Sequence, residues 1–131
     1  MVIFEQLQQK LSFYDVFSDL VVPEEKYGNY RCPFCGKEGK FSILENKYGR
    51  CFSDKCNWTG DALQLYQDYL KLDFDSAIKK INEEYDLKIS FNQNTKKNYL
   101  LKRTEFKKRI LDLRFIRQFK MMMEGLNYKK N

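Results

Sequence analysis

Cys32-Pro33-Phe34-Cys35 and Cys51-Phe52-Ser53-Asp54-Lys55-Cys56 are the two stretches that decide the fold of this 131-residue chain. They contain all four of its cysteines, and the chain has no histidine. Two short loops that each offer two thiols can surround one Zn²⁺ ion, which prefers four tetrahedral sulfur ligands at about 2.3 Å. The spacing therefore predicts one zinc site, with Cys32, Cys35, Cys51 and Cys56 as its ligands.

The predicted zinc site is structural, because four protein ligands leave no open coordination position for water or substrate. The alternatives for these cysteines are two disulfides, a catalytic zinc ion, or a redox role for Cys32 and Cys35. The start of the chain lacks the features of a signal peptide, and no stretch approaches the roughly 18 apolar residues of a membrane span. We therefore expect a cytoplasmic protein without membrane contact, whose thiols stay reduced.

Charge is distributed unevenly along the chain. Residues 1–92 hold twelve Lys and Arg against fifteen Asp and Glu, whereas residues 93–131 hold twelve against three. The basic C-terminal part suits an anionic partner, most simply a nucleic acid. The alternative is a solvated helix face that only aids solubility.

The pattern of apolar residues predicts an α+β fold. Apolar residues recur at helical spacing between Phe4 and Leu20, with Ser12 or Asp15 as a cap for a second short helix. Two extended stretches, Phe41–Leu44 and Lys47–Phe52, surround a turn that we assign to Asn46 and Gly49. Further helices are expected to start near Asp61 and at Asp73 or Asp75. The expected architecture is a zinc ribbon, a small antiparallel sheet with its four-cysteine site, flanked by helices.

We place a boundary in the polar stretch after residue 91. This divides the chain into a zinc-binding domain, 1–91, and a basic helical extension, 92–131. An amphipathic basic helix of this kind either packs back on the zinc domain or docks on another protein. The basic residues expected to contact a partner protein or phosphates are Lys102, Arg103, Lys107, Lys108, Arg109, Arg114 and Arg117.

A set of short motifs carries a family resemblance over about residues 4–90. They are Tyr30–Cys35, Gly39–Ile43, Arg50-Cys51-Phe52, Cys56, Gly60-Asp61 and the Phe74, Ala77, Ile81 series. In this order they resemble the N-terminal zinc-binding domain of bacterial DnaG-type and phage primases. The chain departs from the usual family pattern in having Cys35 where bacterial members have histidine, and four residues between its last two cysteines.

The resemblance implies contact with a single-stranded DNA template. Single strands are bound by basic grooves that follow phosphates and by aromatic faces on which bases stack. The contacts that we expect are Lys40, Lys47, Tyr48, Arg50 and Trp58. Phe41 and Ile43 are expected to face inward, Phe34 and Phe52 can shield the metal, and Trp58 has an alternative role as a plain cap over the first helix.

The resemblance also bears on catalysis. The Toprim domain that polymerises nucleotides in those primases has no room in this chain, and no catalytic residues or carboxylate cluster are apparent. We therefore expect a stand-alone phage or mobile-element product that reads template for a separately encoded primase, replicative polymerase or helicase. The alternatives are a zinc-stapled adaptor that touches no DNA, and an enzyme that makes primers alone.

Overall fold

Two short helices open the structure. In the computed structural model, which describes residues 3–109, α1 covers Ile3–Lys10 and α2 covers Phe13–Leu20. Of the two predicted caps, Ser12 is the one that caps α2, because its hydroxyl oxygen accepts a hydrogen bond from the backbone N–H of Asp15 at 3.2 Å. Both helices bury their apolar faces in one core together with Leu11, which lies between them. The buried helix side chains are Phe4, Leu7, Phe13, Val16 and Phe17.

Five antiparallel strands form one sheet in which every strand pairs with the next one along the chain. The central hairpin is formed by β3 and β4, with Phe41 opposite Cys51 and Leu44 opposite Tyr48. One zinc-ligand loop precedes β3, and the other begins at the end of β4. The predicted α+β zinc-ribbon fold is thereby confirmed. The strands are β1 (Glu25–Lys26), β2 (Asn29–Tyr30), β3 (Phe41–Leu44), β4 (Tyr48–Cys51) and β5 (Thr59–Asp61).

The turn between β3 and β4 differs from the prediction at Gly49. Glu45 and Asn46 adopt the left-handed conformation in this turn, with φ of 55° and 54°. Gly49 instead lies inside β4, opposite Ile43. A Cβ atom at Gly49 would lie 2.4 Å from Cζ of Phe13, so the absence of a side chain lets α2 pack closely on the sheet.

Two capped helices follow the sheet. Asp61 caps α3 (Ala62–Leu70) by accepting the backbone N–H of Gln64 at 2.8 Å. Asp73 caps α4 (Phe74–Tyr85) by accepting the backbone N–H of Ser76 at 2.7 Å. Both predicted helix starts are confirmed, and the position of Asp73 is explained by capping.

A fifth helix, α5, occupies residues 93–109 and packs back on the zinc-binding domain. Tyr99 is only 1% exposed, and its ring centroid lies 5.6 Å from that of Phe4 and 5.5 Å from that of Phe74. The boundary predicted after residue 91 therefore separates two stretches that share one core. The sequence left two alternatives for the basic helix, packing on the zinc-binding domain or docking on another protein. The described part of the helix packs on the domain.

None of the helices in the described range, 3–109, has the length and apolar character needed to cross a membrane.

Candidate metal centre and nucleic-acid surface

The four cysteine sulfur atoms meet in one cluster. All four lie within 4.8 Å of one another, with 3.8 Å between the Sγ atoms of Cys32 and Cys56 and 3.6 Å between those of Cys35 and Cys51. A tetrahedron with Zn–S bonds of about 2.3 Å has S–S edges of about 3.8 Å. The donor set therefore fits a Zn²⁺ ion, and these separations are far longer than the roughly 2.05 Å of a disulfide.

Backbone hydrogen bonds shape the two ligand loops. In the first loop, the N–H of Gly36 donates to the carbonyl of Cys32 at 2.9 Å, and the N–H of Phe34 donates to the Cys32 sulfur at 3.4 Å. In the second loop, the N–H of Ser53 donates to the Cys51 sulfur at 3.4 Å. N–H groups aimed at sulfur stabilise thiolates, which are the form that binds metal.

Burial opposes ionisation of the inner thiols. It raises the pKa of Cys32, and it raises that of Cys51 to about 11. A thiol must lose its proton to coordinate zinc, so the charge of the cation is what makes buried thiolates favourable here. Metal binding and the folding of this region are therefore coupled.

A cluster of ion pairs that sequence reasoning missed braces the first ligand loop. Arg31 forms ion pairs with Glu24 and with Glu38, the latter at 2.6 Å, and donates to the carbonyl of Gly36 at 2.8 Å. Lys26 adds a second ion pair to Glu38 at 3.1 Å. Glu24 and Lys26 precede the turn of the β1–β2 hairpin, whereas Arg31 and Glu38 follow it, so only the folded structure reveals that these four side chains meet.

Two of the predicted DNA contacts lie together at the turn of the ribbon. Lys47 is exposed and Tyr48 is half-buried at the start of β4. Lys40 is also exposed, just before β3. These three side chains are accessible to a ligand.

Arg50 was expected to contact DNA, and the structure corrects this expectation. Its side chain is 1% exposed, and its guanidinium carbon lies 4.6 Å from the ring centroid of Phe52. A buried guanidinium has no direct access to a phosphate, so Arg50 is a structural residue in the described fold. No local pattern indicates this burial, because the neighbours that cover a strand residue come from other elements.

Trp58 lies on the opposite face of the sheet from Tyr48. Side chains alternate along a strand, and the register pairs Tyr48 with Asp61, three residues after Trp58. The indole stacks on Phe34 with centroids 4.9 Å apart, and its N–H donates to the carboxylate of Asp68 at 2.8 Å. The side chain of Trp58 therefore packs between the first ligand loop and α3. A DNA strand that contacts Tyr48 would lie on the other face of the sheet from Trp58.

The basic residues of α5 divide into buried and accessible groups. Arg103 is 7% exposed and donates to the hydroxyl of Tyr99 at 3.1 Å and to the side-chain oxygen of Gln67 at 3.3 Å. It thus holds the helix in place, which corrects its predicted role as a surface contact. Burial lowers the pKa of Lys107. Lys102 is half-buried, Lys108 and Arg109 are exposed, and Arg114 and Arg117 lie outside the described residues.

Comparison with known protein families adds an independent finding. A family model of the DnaG zinc-ribbon type, described as "CHC2 zinc finger", matches residues 1–97. The matched range contains the four cysteines, the whole sheet and helices α1 to α4. A search of the curated proteins finds no match.

Proposed function

The chain belongs to the CHC2 zinc-finger family of DnaG-type zinc-binding domains, and on this premise we propose that it is a non-catalytic accessory that reads single-stranded template DNA. Membership confirms the resemblance seen in the sequence and suggests nucleic-acid binding in a primase context. The proposal adds that primer synthesis is performed by a separately encoded primase or replicative polymerase. A phage or mobile-element origin is part of the same proposal.

Zinc has a structural role in this function. The family binds zinc structurally, and Cys32, Cys35, Cys51 and Cys56 form a closed donor set with the separations that the ion requires. When bound, the ion holds the two ligand loops together and so fixes β3 and β4 relative to β5. The chain's own residues then present the surface for DNA.

The observation that carries the DNA-binding proposal is the pairing of Lys47 with Tyr48 at the ribbon turn. An exposed ammonium group attracts phosphate, and an adjacent half-buried ring offers a surface on which a base can stack. The turn is fixed rather than loose, because the carbonyl and side chain of Asn46 accept the backbone N–H groups of Phe13 and Tyr14 at 3.1 and 2.8 Å. Lys40 is a further phosphate contact in this proposal.

We assign catalysis to a partner. Within residues 3–109, the four cysteines are the one group of three or more His, Cys, Asp or Glu side chains that could hold a metal ion, and we assign them to zinc. Phosphoryl transfer by a polymerase normally uses Mg²⁺ held by carboxylates. Purified protein incubated with template, nucleotides and Mg²⁺ should therefore yield no primers, and primer synthesis would contradict the non-catalytic assignment.

Labelled single-stranded DNA at graded salt tests the binding proposal. The logarithm of the affinity should fall linearly with the logarithm of salt concentration, with a slope of about −0.7 for each phosphate neutralised. Lys47→Ala should flatten the slope and Tyr48→Ala should weaken binding at every salt concentration. Lys79→Ala, an exposed charge on α4, is the matched control. Absence of binding, or equal losses for Lys47→Ala and the control, would reject this surface.

A second candidate function is a zinc-stapled adaptor that binds a polymerase or transcription complex through α5. It is favoured by Leu101, which is 60% exposed on a basic helix. A pull-down from the native host with and without nuclease separates the two functions. An adaptor keeps its partner after nuclease treatment and shows no salt-dependent affinity for DNA in the binding assay.

A further inference from the structure

Three residues form a stripe along one side of α5. Lys102, Phe106 and Arg109 are spaced at i, i+4 and i+7, and therefore lie above one another on a helix. All three line a cleft of about 310 Å³ between α1 and α5, together with Phe4, Glu5, Gln8 and Glu105. The helix thus places one aromatic ring between two cationic side chains.

The stripe adjoins the proposed DNA-binding turn. The ring of Phe106 meets the ring of Tyr48 edge-on, with centroids 5.0 Å apart and an interplanar angle of 80°. On its other side, Phe106 is supported by Phe4 at 5.4 Å. Gln8 lines both this cleft and the small pocket beside Lys47. The cleft therefore lies directly beside the turn.

Buried hydrogen bonds hold α5 in this position. The hydroxyl of Tyr99 donates to Asp61 on β5 and accepts from Arg103, which also donates to Gln67 on α3. All of these contacts lie on the packed side of α5, so the stripe is presented in a fixed orientation. Preorganised groups lose less conformational entropy when a ligand binds.

We propose that α5 is the second wall of the single-strand site, with Phe106 as a stacking ring beside Tyr48 and Lys102 and Arg109 as phosphate contacts. This rests on the proposed function. Lys102, Phe106 and Arg109 all lie beyond the range that the family model matches, which ends at residue 97. Alternation of cationic groups with an aromatic ring is the pattern that binds single strands.

The cleft contains side chains of both charges, and these should affect DNA binding in opposite directions. Within the part of the chain that the structure describes, Lys102 and Arg109 form no ion pair and are available to phosphate. Glu5 and Glu105 line the same cleft and would repel a bound phosphate. The proposal therefore requires changes of opposite sign: removal of a cation weakens binding, and removal of the Glu105 charge strengthens it.

Salt-dependent binding of labelled single-stranded DNA to the full chain tests the proposal. The double variant Lys102→Ala/Arg109→Ala should make the log–log salt slope less steep by about 1.4, which corresponds to two phosphates. Phe106→Leu keeps an apolar packing residue but removes the ring, and should weaken binding about 5- to 150-fold, the range expected for one stacked base. Glu105→Gln should tighten binding at low salt.

Lys79→Ala/Lys80→Ala is the matched control, since it removes two exposed charges from α4, and neither residue lines the cleft. It should change the salt slope by less than half as much as the cleft variant. Equal changes for the two double variants, or an unchanged affinity for both Glu105→Gln and Phe106→Leu, would overturn the proposal. If Lys47→Ala still weakens binding in that case, the proposed function stands while α5 is excluded from the site. If the unmodified chain binds no single strand, the proposed function itself fails.

Discussion

The hydroxyl of Tyr99 donates a 2.5 Å hydrogen bond to Oδ2 of Asp61, joining residues 38 positions apart in the sequence. The other carboxylate oxygen of Asp61 accepts the backbone N–H of Gln64 and caps α3. Both side chains are buried, at 3% exposure for Asp61 and 1% for Tyr99. One carboxylate therefore fixes the start of α3 and also anchors α5, which lies largely outside the family-matched range.

Tyr99→Phe should destabilise the fold. The substitution keeps the ring but removes the hydroxyl that joins Asp61 to Arg103, leaving both buried charged groups with a lost hydrogen bond. Such a loss costs about 1–3 kcal/mol. Urea unfolding measures it, with Tyr27→Phe as the control because Tyr27 is 92% exposed. Equal unfolding free energies for the two variants would show that the buried contact does not contribute.

Stability should fall at alkaline pH partly because of Tyr99. Burial, followed by the nearby Asp61 charge, raises the pKa of Tyr99 well above its ordinary value. The folded chain therefore keeps the proton, whereas the unfolded chain releases it near pH 10. The contribution of Tyr99 to the free energy of unfolding is complete below about pH 10 and declines above it by about 1.4 kcal/mol per pH unit. Urea unfolding between about pH 9 and 11 should show a shallower decline for Tyr99→Phe. Parallel pH profiles would contradict the assignment.

Removal of zinc should unfold the ribbon. Apparent free energies of structural zinc binding are about 10–16 kcal/mol in zinc-finger peptides, comparable to or larger than the whole stability of a small domain. A chelator should therefore abolish the cooperative thermal transition seen by circular dichroism, and readdition of Zn²⁺ should restore it. Elemental analysis of the native protein should give one zinc per chain. A chelated protein with an unchanged transition would refute the structural role of the metal.

Gly49→Ala should lower the thermal stability of the protein more than the substitution of alanine for a glycine in an exposed turn. The new methyl group would meet the ring of Phe13 at 2.4 Å and that of Phe41 at 2.7 Å, and neither ring has room to retreat in a filled core. Overpacking of this kind typically costs about 1–3 kcal/mol. Gly28→Ala is the comparison, because its φ of +82° is strained for alanine while the space around it is open. A smaller loss for Gly49→Ala in thermal unfolding would contradict this packing.

Local chemistry made much of this fold predictable from the sequence. Asp61 was predicted as a helix start, and Ser12 and Asp73 were each one of two predicted caps, because capping depends on a short polar side chain at a helix start. The four-cysteine zinc site formed by Cys32, Cys35, Cys51 and Cys56 was predictable because two loops with two thiols each can surround one ion. These signals need no knowledge of the rest of the fold.

Predictions that depend on neighbours distant in sequence were less reliable. Arg50 and Arg103 are basic residues in basic surroundings, and their burial depends on which elements cover β4 and on which side of α5 meets the core. Gly49 looked like a turn residue because the approach of Phe13 from α2 is not visible in the sequence. In each case tertiary packing decided the role, and residue type alone did not.

The succession of strands, each paired with its immediate predecessor, affects how the protein can be made. Neighbouring pairings require only short loops to close, which favours rapid folding. During synthesis the ribbon needs nothing beyond Asp61 to complete its five strands, whereas Tyr99 emerges from the ribosome 38 residues later. The metal-binding unit can therefore assemble first, and α5 then closes over a surface that already exists.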